Sequence, residues 1–204
     1  MYIPDLYKNE NQEEIRNFIH HNGFALLINQ VNGKPWATHI PLVLETNSAG
    51  KEVLVGHLSI ENPQAKSLQN GSEVLAIFSG PHAYISSSWY DHENVPTWNY
   101  IAVHVYGNVR ILNYDETVTS LKKLVDKYET QSENPIRIED LSEKTMRQAR
   151  GIAAFEMEIT SIEATKKLSQ NRDSKNYQNI ISELEKRNDN QSINIANEMK
   201  KCTR

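Results

Sequence analysis

The chain has 204 residues, a hydrophobic share of 38%, a mean hydropathy of −0.62 and a formal net charge of −4. This length predicts one substantial domain, or a domain with a small appendage, and the modest apolar share places part of the chain outside the core. The charge offers no global pull toward nucleic acid or an anionic membrane, and no apolar run approaches the ~20 residues of a membrane span. The single cysteine, Cys202, excludes an internal disulfide and a paired-cysteine zinc site. The opening MYIPDLYKNENQEE lacks the basic and apolar regions of a signal peptide, so the expected location is cytoplasmic.

In chain order, Asn11 and Glu14 stand at capping-box spacing, and Ile15, Phe18 and Ile19 follow on one face of a helix ending near His21. A strand over 24–29 leads to Asn32-Gly33, a hairpin signal because both central positions of a type I′ turn need positive φ. The return strand spans 36–45, and Pro41 within it predicts a bulge or an edge. A strand over 53–58 precedes a short helix capped by Ser59 or Asn62, with Pro63 in its first turn and Gly71 behind it. Two strands, 74–79 and 82–90, lead through an exposed loop to a long strand over 97–112.

That long strand carries two different faces. Thr97, Asn99, Ile101, Val103 and Val105 form a largely aliphatic one, while Trp98, Tyr100, Ala102, His104 and Tyr106 form an aromatic one with polar tips. The second composition suits a planar ligand or a partner subunit better than bulk water. Beyond it, Asn113 and Glu116 cap a helix, a further helix is expected over 139–150, a half-buried strand over 153–162, and a helix carrying Tyr177, Ile180, Ile181 and Leu184. Residues 1–187 are expected to form a single domain and 188–204 a polar, frayed tail. Hairpin-length connections argue against a parallel sheet. The expected fold is mainly β with flanking helices: a six-to-seven-stranded antiparallel barrel or strongly bent sheet.

The segments ATHIPLVLE (37–45), GHLSIENPQ (56–64), FSGPHAYISSSWY (78–90), VPTWNYIAVHVYG (95–107) and KKLSQNR (166–172) closely resemble, in the same order, the PaiB family of bacterial negative transcriptional regulators. That family is similar to flavin-binding split-barrel proteins such as pyridoxine 5′-phosphate oxidase, and the resemblance runs over about residues 1–184. It implies a Greek-key split β-barrel, a homodimer with ligand sites between subunits, FMN as the cofactor, and repression of protease-synthesis and sporulation genes.

Carried over residue by residue, the resemblance implies cofactor-binding roles for Thr38, His39 and Pro41 on the second strand, then for His57, Leu58, Ser59, Asn62 and Gln64. A helix starting near Asn62 would point free N–H groups outward, Ser59 adds a hydroxyl, and Lys66 is the nearest formal cation. The departure from the family pattern is that neither 36–45 nor 53–58 holds an Arg or Lys, leaving His39 and His57 to meet a phosphate. Each could equally be a strand histidine bonded to backbone. Gln170, Asn171 and Arg172 follow the last strand, where relatives close over the flavin; Arg172 could supply the cation, or the segment could be a polar helix cap with Asp173.

Trp89, Trp98, Tyr100 and His104 are expected at the dimer interface. His39, His57, His82 and His104 include no His-x-His or i,i+4 pair, so no metal site is expected. No catalytic residue is expected either: Ser86, Ser87 and Ser88 lack a G-x-S-x-G frame, and neither a P-loop nor a carboxylate pair is present. There is no obvious helix-turn-helix. The basic sets Lys122/Lys123/Lys127 and Lys166/Lys167/Arg172/Lys175 lie among Asp126, Glu129 and Glu163, as on a solvated face, so contact with DNA could be direct or indirect. The reading is a cytoplasmic homodimeric negative regulator whose inter-subunit pocket binds FMN. The rivals are an FMN-dependent oxidoreductase acting on a small molecule and a partner-binding module with a degenerate flavin site.

Overall fold

A computed structural model of the chain describes residues 1–202. Its strands are β1 (Phe24–Val31), β2 (Lys34–Pro41), β3 (Val43–Thr46), β4 (Glu52–Ser59), β5 (Glu73–Ile85), β6 (Thr97–Ile111) and β7 (Ile152–Lys167). Its helices are α1 (Gln12–His21), α2 (Pro63–Ser67), α3 (Tyr114–Glu129), α4 (Glu143–Met146), α5 (Ser174–Lys186) and α6 (Asn190–Lys201). The strands form one seven-stranded sheet in the order β2-β1-β5-β6-β7-β4-β3. The mainly β character with flanking helices is as expected.

The barrel is not. β2 and β3 are the two ends of the ladder, so the sheet is open and the expected closed split barrel is corrected. The reason lies in the strand expected over 36–45, which breaks at Leu42. Leu42 donates its N–H to the Gly23 carbonyl (2.8 Å), and the chain continues into a four-residue β3 paired with β4. Pro35 and Pro41 remove two donors from β2, which suits a strand with an unpaired side.

The chain divides into two compact units. One comprises 19–77 and 105–162; the other comprises 1–18, 78–104 and the segment from 163 onward. In the first, β1 and β2 form a hairpin whose turn residues Asn32 (φ 52°) and Gly33 (φ 76°) both lie in the left-handed region, as a type I′ turn requires. Antiparallel pairing continues from β1 to β5 through Leu26↔Ile77 and from β4 to β7 through Gly56↔Phe155. Leu27, Leu42, Leu54, Leu58, Phe155 and Met157 fill the core beneath these strands. At Gly107 a side chain would strike the Glu158 carbonyl, so only glycine allows β6 this approach. The capping box at α3 is complete: Asn113 accepts from Glu116 N–H (3.0 Å) and Glu116 accepts from Asn113 N–H (2.9 Å).

In the second unit, α5 and α6 bury Tyr177, Ile180, Ile181, Leu184, Ile195, Ala196 and Met199 against Ala83, Ile85, Ile101 and Leu168. Residues 190–201, expected to fray, are therefore helix. Asp189 caps them by accepting from Ser192 N–H (2.8 Å), and Ile195, Ala196 and Met199 form an apolar stripe too short to stand out in the sequence. Residues 203–204 of that expected tail lie outside the described residues.

Other boundaries also moved. The two strands expected over 74–79 and 82–90 are one continuous β5 followed by a 3-10 turn, Ser87–Trp89. The helix expected over 139–150 is a chain of short turns around the four-residue α4. Among the described residues no helix is long and apolar enough to cross a membrane.

Candidate functional site

The first unit holds nine of the expected cofactor residues, and most of their polar groups are bonded to one another or to backbone. Asn62 caps α2, its Oδ1 accepting from Gln64 N–H (2.9 Å), while its Nδ2 donates to Thr38 Oγ1 (3.1 Å). β2 and the start of α2 are therefore brought together. Gln64 is wholly buried and donates Nε2–H to the Leu27 carbonyl (3.1 Å). The Ser67 hydroxyl donates to the Gln64 carbonyl (2.8 Å) and accepts from Asn29 Nδ2 (2.9 Å). Two acceptors, Gln64 Oε1 and Asn29 Oδ1, are buried without a donor among the described residues.

Of the others, Ser59 Oγ accepts from Glu61 N–H (3.3 Å), and the Leu58 side chain is in the core. His39 stacks on Phe24 with ring centroids 5.9 Å apart, and Pro41 lies opposite Phe24 in the β1–β2 register. Lys66 is exposed in the last turn of α2. His57 lines, with Val43, Val55, Ser120 and Leu124, a cavity of only about 10 Å³. Burial holds its imidazole below the usual value, so it is neutral at pH 7.

The second unit holds the remaining candidates. Gln170 is folded onto its own turn: Oε1 accepts from Leu168 N–H (2.7 Å) and Nε2 donates to the Lys166 carbonyl. Asn171 is exposed. The Arg172 guanidinium lies over the Tyr90 ring at 4.8 Å. Asp173 caps α5 by accepting from Asn176 N–H (3.0 Å), so the segment does form the helix cap that was the alternative reading.

Of the residues expected at a dimer interface, Trp98 is 52% exposed, with His82 and Tyr84 packed against its ring at 6.0 and 5.9 Å between centroids. Tyr100 and His104 are half-buried. Trp89 instead packs on the unit's own core under the Arg187 guanidinium (4.5 Å).

Sequence reasoning put Asn99 on the inward face of β6 but missed the partners of its buried amide. It accepts from the Ser169 hydroxyl (3.0 Å) and donates to Met199 Sδ (3.5 Å). Ser169 has φ 61°, a left-handed backbone rare for a serine, which turns the chain so that its hydroxyl reaches β6. A non-local bond of this kind has no sequence signal. A cavity of about 610 Å³ in this unit is lined by Tyr7, Glu14, Asn17, Lys166, Gln170 and Cys202 among others. Its half-buried Lys166 is already held by Glu14 and Glu198.

These residues do not fit the phosphate of FMN. That group is a dianion and needs donors. Around α2, Asn62 and Gln64 each already donate an amide N–H to a protein acceptor, and the buried side-chain atoms left without a partner there are oxygens. The first free N–H of the five-residue α2 is capped by Asn62, and His57 carries no charge.

The comparisons with known proteins agree with the fold. Residues 1–161 match the family model described as a putative FMN-binding domain. The chain is 43% identical over 186 residues to the protease synthase and sporulation protein PAI 2 of Bacillus subtilis, covering 91% of this chain and 89% of that protein. Among solved structures, the flavocytochrome Anf3 of Azotobacter vinelandii superposes with a TM-score of 0.64 at 16% identity, covering 87% of this chain and 78% of that one. A FAD- and haem-binding protein of Mycobacterium smegmatis gives 0.62 at 16% identity, covering 84% and 78%. At such identities the two structures support the fold alone. By its match to the family model and to PAI 2, the chain belongs to the putative FMN-binding domain family and, within it, to the PaiB family that its five motifs resemble.

Proposed function

We propose that this chain is a PaiB-like negative regulator of protease production and sporulation, acting in the cytoplasm as a homodimer. The observation that carries the reading is the 43% identity to PAI 2 over nine-tenths of both chains. The dimer is supported by the ring cluster of Trp98, Tyr84 and His82, which leaves a large aromatic surface to water in the single chain. Flavin enters through the family model, with the isoalloxazine ring as the part an aromatic face of this kind can hold.

Regulation is indirect in this reading. The basic sets are neutralised: Lys122 pairs with Asp126 and Glu139, Lys123 with Glu45, Lys166 with Glu14 and Glu198, and Lys175 with Asp91. Lys127 is bonded to the His20 carbonyl and Lys167 to Thr97. A stripe of free cations that could track a phosphate backbone is not among these residues. Deleting the gene in its host should raise secreted protease, with an intact copy restoring the low level; unaltered protease output would reject the reading. Promoter DNA should show no shift with the pure protein at ~0.15 M salt, and a clear shift would make the repression direct.

A further inference from the structure

The disagreement between the family's cofactor and the residues present reaches beyond the missing arginine. A site that selects FMN over its dephosphorylated form must hold fixed donors, preferably cationic ones, at the phosphate. Apart from the exposed Lys66, the side chains around α2 that could serve carry no positive charge, and several already bond to protein groups. Asn62 donates to Thr38 and caps Gln64. Gln64 donates to Leu27, and its remaining oxygen would repel an anion. His57 is neutral beside Leu124 and Val43, and His39 is stacked on Phe24. Glu61, beside Ser59, adds negative charge. In the other unit, Gln170 is closed on its own backbone and Arg172 lies on Tyr90. Lys66, on an exposed side chain, is the one cation among the expected residues around α2, and holding it in place costs rotamer entropy while salt screens it.

We infer that this chain has no built phosphate cradle and recognises a flavin by its ring: FMN and riboflavin are equivalent ligands. The inference rests on the flavin part of the proposed function. It sets the ligand class as a neutral tricyclic ring system, with the 5′-phosphate left in solvent.

The test titrates FMN and riboflavin separately into the full-length protein, following quenching of flavin fluorescence, at ~0.05 M and ~0.5 M NaCl. The expected result is a ratio of dissociation constants below about tenfold at both salts. A preference for FMN of about tenfold or more at either salt overturns the inference, because it requires fixed, charge-assisted donors at the phosphate. Binding of neither flavin leaves the absence of a cradle standing and removes the flavin reading itself. The two failures are therefore distinguishable.

Discussion

The polar motif at the start of α2 and the aromatic cluster of β5 and β6 were both expected to face a ligand or a partner, and they behave in opposite ways. Around Asn62 and Gln64 the side chains turn inward and bond to Thr38, Leu27 and their own helix. Around Trp98 the rings turn outward and pack on one another. The difference follows from what each group loses on burial. An amide inside the protein must find partners nearby, and the cheapest are backbone carbonyls. An indole on a strand face has no such demand and stays available to a second surface. A polar motif is thus weak evidence for a binding site, whereas an exposed ring cluster is stronger evidence for an interface.

The largest test of that contrast is Trp98→Ala. If the cluster is an interface, the change should weaken self-association by ~2–4 kcal/mol and leave the melting of the isolated chain nearly unchanged. Light scattering across a dilution series checks it, and a dimer that persists at the same concentrations would break the comparison. Gln64→Ala should do the reverse: a loss of about 3 kcal/mol in folding stability by urea titration, from the lost Gln64–Leu27 hydrogen bond and the space left behind. A variant with undiminished stability would mean that Gln64 is held for a ligand.

A smaller effect is expected from Arg172→Ala. Losing the guanidinium over Tyr90 should cost about 1 kcal/mol, with flavin binding unaltered; a large loss of flavin binding would return Arg172 to the site. The smallest effect is the pH response of His57. Its pKa in the folded state lies below that of the unfolded chain, so the unfolded chain binds more protons as pH falls below about 6.5. Stability is therefore lost between that pH and the lower folded pKa, and His57→Gln should flatten that part of the profile. Chemical denaturation across this range would expose an error if the variant kept the full slope.

What the sequence made legible was local. Asn32-Gly33 specified its turn, and Asn113 with Glu116 specified a cap, because every participant lies within four residues. The alternation in β6 correctly separated Trp98 from Asn99, one exposed and one buried. Legibility failed where distant partners decide. Leu42 looks like the middle of a strand until its N–H is found on Gly23. Met199 looks like part of a polar tail until Asn99 and the α5 residues are placed beside it. The α2 residues carried the right motif, but their hydrogen-bond partners on β1 and β2, which settle what they can offer a ligand, lie more than 20 positions away.

The break at Leu42 has a mechanical consequence. Although β2 and β3 occupy opposite rims of the ladder, a single residue separates them along the chain, and that residue is pinned by one amide bond to Gly23. Releasing the pin slackens both rims together, so fraying at one is transmitted covalently to the other. Amide protons of 34, 36–40 and 43–46 should then exchange with deuterium in concert, as one cooperative hem of the sheet.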